Sequence, residues 1–192
     1  MAKKESTFTN MLLTLVLVSL ISSAGLGFIY EVTKEPIAVA KDNKKRLAIK
    51  RVVPVFTNNP SDQALKIPAD NDTVYIYTAI NGTDTVGYAI ETFTNKGYSG
   101  YFKLLAGFLP DGSIYDIAVL EHKESPGLGD QMLKAKSDWS NQFEGKNPEN
   151  FTLKVSKDGG NVDAITASTI TSRAYCDAVQ RAYDALKKGG QQ

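Results

Sequence analysis

The hydrophobic pattern of the chain changes character three times, and its first form has no polar period at all. From Met11 to Tyr30, MLLTLVLVSLISSAGLGFIY, twenty residues pass without a charge. As a helix rising ~1.5 Å per residue, such a run covers about 30 Å, the thickness of a bilayer's hydrocarbon core. No polar stripe interrupts it, so a helix buried in a soluble core fits it least. A cleaved signal peptide ending with SSA at Ala24 is the rival reading. The apolar character continues through Leu26, Phe28 and Ile29, with Tyr30 where an interfacial aromatic belongs, and this favours an anchor.

Beyond the anchor, Pro36 suits the first turn of a second helix. PIAVAKDNKKRLAIKRVV keeps helical composition to Val53, and Pro54 ends it. Residues 57–72, rich in Asn, Pro, Ser and Asp, read as a loop. The pattern then turns to period two. TVYIYTA (73–79) and VGYAIETF (86–93) flank Asn81-Gly82, and YFKLLAGFL (101–109) and SIYDIAVLEH (113–122) flank a PDG turn. These four strands predict one antiparallel sheet. A short helix is expected between Asp130 and Phe143, a strand at 151–155, and a last short strand at 162–167. The third form is helical: from Ile170 to Lys188, Tyr175, Val179, Ala182 and Leu186 fall on one face, and Gly189 and Gly190 close the helix. The fold class is α+β, a single transmembrane helix followed by a globular domain whose antiparallel sheet is packed by helices. The divisions are a short N-terminus at 1–10, an anchor at 11–30, a basic stalk helix at 31–56 and the globular domain at 57–192.

Charge adds a complication. The net charge is +1, which points to no nucleic-acid partner. Residues 31–53 nevertheless hold seven Lys/Arg against three acids, and residues 54–192 hold 13 basic and 17 acidic residues. Basic residues beside a span usually stay inside, but long domains cross largely regardless of such counts, so the residues alone leave orientation open. One cysteine, Cys176, allows no internal disulfide, and one histidine, His122, makes no zinc site by itself; no metal centre is expected.

Three segments carry candidate chemistry. TASTITS (166–172) crowds five hydroxyls against a helix start, where one suffices for capping and where unpaired amides and the helix dipole suit an anion. EHKESPGLGD (121–130) contains a glycine-rich turn, which is either a surface turn or a place where backbone approaches a ligand. NKGYSGYFKLL (95–105) sets Tyr98 and Tyr101 near glycines, as packing residues or as cover for a planar ring.

The spacing Asp163-x-x-Thr166-Ala167-Ser168-Thr169 resembles the flavinylation motif Asp-x-x-(Ser/Thr)-Gly-Ala-Thr, and Ile170-Thr171-Ser172 continues the likeness. His122-x-Glu124-Ser125-Pro126-Gly127-Leu128-Gly129 is similar to the H-x-E-T-P-G-L-G segment of the same FMN-binding domains. The order of anchor, basic helix, sheet, glycine turn, hydroxyl motif and final helix resembles the G subunit of Rnf electron-transport complexes. The C subunit of sodium-pumping NADH:quinone reductases shares the domain but is usually longer. Ala167 and Ser168 depart from the family's glycine and alanine.

The resemblance implies an electron-carrying flavoprotein subunit of a membrane complex that couples electron transfer between ferredoxin and NAD to ion translocation. It implies FMN attached covalently to Thr169 through a phosphoester. Thr166, Ala167, Ser168, Thr171, Leu128 and Gly129 become cofactor-binding candidates, and Asp163 a recognition residue for the FMN transferase. None of these acts as acid or base. The implied partners are the other complex subunits, the transferase and membrane lipid. The implied place is the bacterial inner membrane, with residues 1–10 cytoplasmic and the globular domain external. A stand-alone anchored flavin reductase and a non-redox anchored binding module remain as alternatives.

Overall fold

The computed structural model describes residues 7–69 and 72–189. The chain divides into two compact units, residues 1–43 and residues 44–192. The first consists of most of helix α1, Phe8–Val52, which is long and apolar enough to cross a membrane and has none of its apolar stretch buried within the protein. Pro36 lies inside α1 instead of opening a separate helix. Proline forfeits one backbone hydrogen bond and crowds the carbonyl four residues earlier. The helix nevertheless continues from Phe8 to Val52, so the expected break does not occur.

The second unit is built on five strands: β1 (Leu65–Ala69), β2 (Asp72–Asn81), β3 (Asp84–Gly97), β4 (Gly100–Phe108) and β5 (Ile114–Glu121). All pair antiparallel, in the order β1-β2-β3-β4-β5. Tyr77 stands opposite Ala89, Ile90 opposite Ala106, and Leu105 opposite Ala118. Both expected hairpins form. Gly82 takes a φ of 66° in the first turn and Gly112 a φ of 83° in the second, a region that glycine enters without steric cost.

Because side chains alternate along a strand, β4 serves two cores. Leu104, Ala106 and Phe108 point to the larger one, with Ile90, Phe93 and Phe102. Leu105 points to a smaller one made with Tyr77, Ala79, Ala89, Ile49, Val52 and Val53. The last turns of α1 therefore cover one sheet face. Gly107 admits them, since a Cβ there would fall on the carbonyl of Val52.

Helix α2, Thr169–Gly189, covers the other face. Tyr175, Val179 and Ala182 are buried as their spacing predicts, and Leu186 is half-buried. Each fully buried aliphatic or aromatic side chain contributes about 1.5–3 kcal/mol, so this face is a principal source of stability. Polar ties add direction: Thr92 Oγ1 donates to the Ala178 carbonyl at 3.1 Å, and Thr94 Oγ1 to Asp177 Oδ2 at 3.1 Å.

The connections depart from the sequence reading. The 57–72 segment contains a 3-10 turn, Pro60–Gln63, and the strand β1. Residues 130–143 form two 3-10 turns, Gly129–Met132 and Trp139–Phe143, instead of a helix. Residues 151–155 and 162–167 meet in one parallel bridge, Val155 to Val162, instead of two strands. The chain folds back on itself between them, through Gly159 at φ 78° and through Gly160, which packs on the Lys154 carbonyl.

Candidate functional site

The hydroxyl cluster divides into an inward and an outward set. Ser168 precedes α2 and its carbonyl accepts from the Ser172 amide at 3.1 Å. Ser172 Oγ donates to the same carbonyl at 3.0 Å and accepts from the Ile165 amide at 2.9 Å. Ser168 Oγ donates to Thr171 Oγ1, and Thr171 Oγ1 donates to Glu124 Oε2, both at 2.9 Å. Ser168, Thr171 and Ser172 are all buried. Thr166 is exposed and Thr169 half-buried.

The outward set lines a groove of about 390 Å³, whose walls are Ser156, Lys157, Asp163, Ala164, Ile165, Thr166, Ala167 and Thr169. Ala167 turns the chain there with a φ of 59°, the only non-glycine residue at positive φ among the described residues. A Cβ is disfavoured in that region by roughly 1–2 kcal/mol. The glycine that the related motif carries at this position thus has a conformational reason.

Asp163 is held on every side. Its amide donates to Gln142 Oε1 at 2.8 Å, its carbonyl accepts from the Trp139 indole at 2.6 Å, and Ser156 Oγ donates to its Oδ1 at 3.3 Å. The 3-10 turn Ser156–Asp158 forms the facing wall. Arg173 in the first turns of α2 grips Asp158 through two bonds of 2.6 and 2.7 Å, which hold that carboxyl below its usual range. Lys157, between Ser156 and Asp158, has no ion-pair partner among the described residues and is the one cation on the groove.

The site as expected from sequence is therefore partly gathered. Asp163, Thr166, Ala167 and Thr169 share the groove, while Ser168 and Thr171 turn into the protein. Leu128 is exposed, and neither it nor Gly129 is among the groove's lining residues. Gly129 is buried against Glu124: a Cβ there would lie 2.6 Å from Oε2 and 2.7 Å from Cβ of that residue. Tyr98 is exposed, whereas Tyr101 stacks on Phe93 and donates to Asp72 Oδ2 at 3.1 Å; burial pushes its phenol up to about 12. Ser156 and Lys157 escaped the sequence reading because nothing local marks them; the return of the chain at Gly159 brings them opposite Thr169.

A larger hollow of about 760 Å³ runs along α2 past Cys176 and Arg181 to β1, and meets Asp158 and Arg173 at one end. Its lining contains none of the motif residues. Among the described residues no group of three or more His, Cys, Asp or Glu could hold a metal ion.

The fit to FMN rests on this groove. It presents a hydroxyl at Thr169 for a phosphoester, a lysine for the phosphate charge, and the start of a long helix, whose first amides lack intrahelical partners. The residues present fit the group.

Comparison with known proteins gives the family. Residues 97–184 match the FMN-binding domain family. The chain is 35% identical over 177 residues to the G subunit of the ion-translocating oxidoreductase complex of Erwinia tasmaniensis, covering 88% of this chain and 84% of that one. The corresponding G subunit of Haemophilus influenzae is 34% identical over 187 residues, with 93% and 88% covered. That of Vibrio cholerae is 31% identical over 191 residues, with 94% and 90% covered.

Proposed function

Since this chain belongs to the G-subunit family of ion-translocating oxidoreductase complexes, we propose that it carries FMN on Thr169 and passes electrons within such a complex. The carrying observation is that, of the five hydroxyls in residues 166–172, only Thr166 and Thr169 open onto the groove, and Thr169 alone also begins α2. The bond formed joins Thr169 Oγ to the flavin phosphorus; the threonine proton is lost, and an activated flavin pyrophosphate donor gives up its other half. Lys157 and the first amides of α2 offset the phosphate charge, Thr166 stands beside it, and Asp163 presents its carboxylate to the transferase. FMN supplies the one-electron chemistry; this chain supplies attachment, orientation and electrostatics.

In this reading the other subunits of the complex are the partners, and α1 anchors the chain in the inner membrane. The globular unit lies outside, and electron flow between ferredoxin and NAD is coupled to ion movement. The membership of relatives named as complex subunits favours this over a stand-alone reductase or a non-redox module.

The test is Thr169→Val, which keeps size and branching but has no oxygen to esterify. The variant folds and reaches the membrane but carries no flavin through denaturation. Thr166→Val retains bound flavin. Peptide mass spectrometry decides: an FMN-sized addition elsewhere in residues 166–172, or its persistence in Thr169→Val, overturns the assignment.

A further inference from the structure

Glu124 is a buried carboxylate hydrogen-bonded to the hydroxyl motif. Oε1 accepts from the Ser99 amide at 3.1 Å, in the turn between β3 and β4. Oε2 accepts from Thr171 Oγ1 at 2.9 Å, and Thr171 in turn accepts from Ser168 Oγ. Among the described residues it has no ion-pair partner, and each of its oxygens accepts a hydrogen bond. Two glycines make room for it. A Cβ on Gly97 would collide with Oε1, and a Cβ on Gly129 with Oε2 and with the Glu124 side-chain carbons. The Ser99 turn, the Pro-Gly-Leu-Gly turn and the start of α2 thus converge on one carboxylate.

We propose that Glu124 is the positioning residue of the flavin-attachment turn. Through Thr171 and Ser168 it fixes the residue before α2, so that Thr169 stands on the groove before any flavin arrives. The inference deepens the function proposed above and rests on Thr169 being the attached residue. Its chemistry is that of a fixed acceptor: Glu124 neither touches the flavin nor transfers a proton. A buried acceptor of this kind explains two observations together, the inward turn of two motif hydroxyls and the glycine at 129. It also distinguishes Glu124 from a plain packing residue, because a glutamine can replace it. The glutamine carbonyl still accepts from Ser99, and its amide donates to Thr171, whose hydroxyl then donates to Ser168 Oγ, the reverse of the direction with glutamate.

The experiment uses the full chain, produced in its own host and extracted with detergent, as wild type, Glu124→Gln, Glu124→Ala and Thr171→Val. The first measurement is the fraction of folded protein carrying FMN by intact mass. It is expected to stay near the wild-type level in Glu124→Gln and to fall at least fivefold in Glu124→Ala and Thr171→Val. The second is amide hydrogen exchange over residues 166–172, made in a Thr169→Val background where no flavin is attached. Exchange there rises about tenfold in Glu124→Ala while the middle of α2 keeps its protection. Should Glu124→Ala not fold, Thr171→Val cuts the same relay at a smaller change of shape and carries the same two expectations.

A wild-type chain without flavin on Thr169 ends the reading on which the inference rests, whatever the exchange shows. Full occupancy with unchanged exchange in Glu124→Ala or Thr171→Val ends the inference alone. Loss of occupancy in Glu124→Gln equal to that in Glu124→Ala also ends it, because charge and not position would then be the requirement.

Discussion

At Ala167 a side chain occupies a backbone conformation that L-residues avoid, with φ at 59°. Replacing it with glycine relieves the clash of Cβ with the following carbonyl. Ala167→Gly is expected to stabilise the protein by about 1 kcal/mol, seen as a rise of roughly 2–4 °C in the melting midpoint for a chain of this size. A lower midpoint would show that the turn prefers the alanine. Sequence alone marked this position as unusual only through the family's glycine; the positive φ supplies the reason. Glu124 was visible in the sequence as part of the His122-x-Glu124 segment, but its contacts lay further out of reach. Its partners Ser99 and Thr171 are 25 and 47 residues away, and no local pattern encodes contacts at that range.

Among the elements, the central strands were legible because they are rich in β-branched and aromatic residues and are bounded by turns at Gly82 and Gly112. β1 was not. It is an edge strand of five residues containing Pro68, and proline argues against a strand wherever both edges must be paired. The turns at 129–132 and 139–143 misled for another reason: Trp139 and Phe143 have helical spacing but are fixed by packing against Tyr175 of α2, at ring separations of 5.1 and 5.2 Å. The tie between β3 and α2 gives a prediction about pH. Burial works to raise the Asp177 carboxyl, but the hydrogen bonds from Lys96 and Thr94 and the nearby Arg181 hold it below its usual range. A depressed folded value means the tie contributes fully above the unfolded value of about 4. It is lost as pH falls through the lower folded value. Melting midpoints measured from pH 6 down to 2.5 should therefore decline less steeply in Asp177→Asn than in wild type. Parallel curves would mean that Asp177 has no part in acid sensitivity.

For the whole molecule, the exposed hypothesis is the side of the membrane on which the globular unit lies. Seven basic residues at 31–53 argue against the external placement proposed here. Protease added to intact cells, with any outer membrane permeabilised, is expected to remove the globular unit and leave the apolar part of α1. Protection until the inner membrane is lysed would reverse the orientation.

The strand order has a consequence in time. Every strand pairs with its neighbour in sequence, so the sheet can zip up hairpin by hairpin as the chain emerges from synthesis. The groove cannot. One wall is the start of the last helix, and that helix is seated by Val179, Ala182, Tyr183 and Ala185, among the last described residues to be made. On the function proposed above, flavin attachment would then be a checkpoint passed only by a chain in which α2 has docked. A chain stopped after residue 175 contains the whole motif and yet should emerge unmodified; flavin found on it would show that the transferase reads the peptide and not the fold.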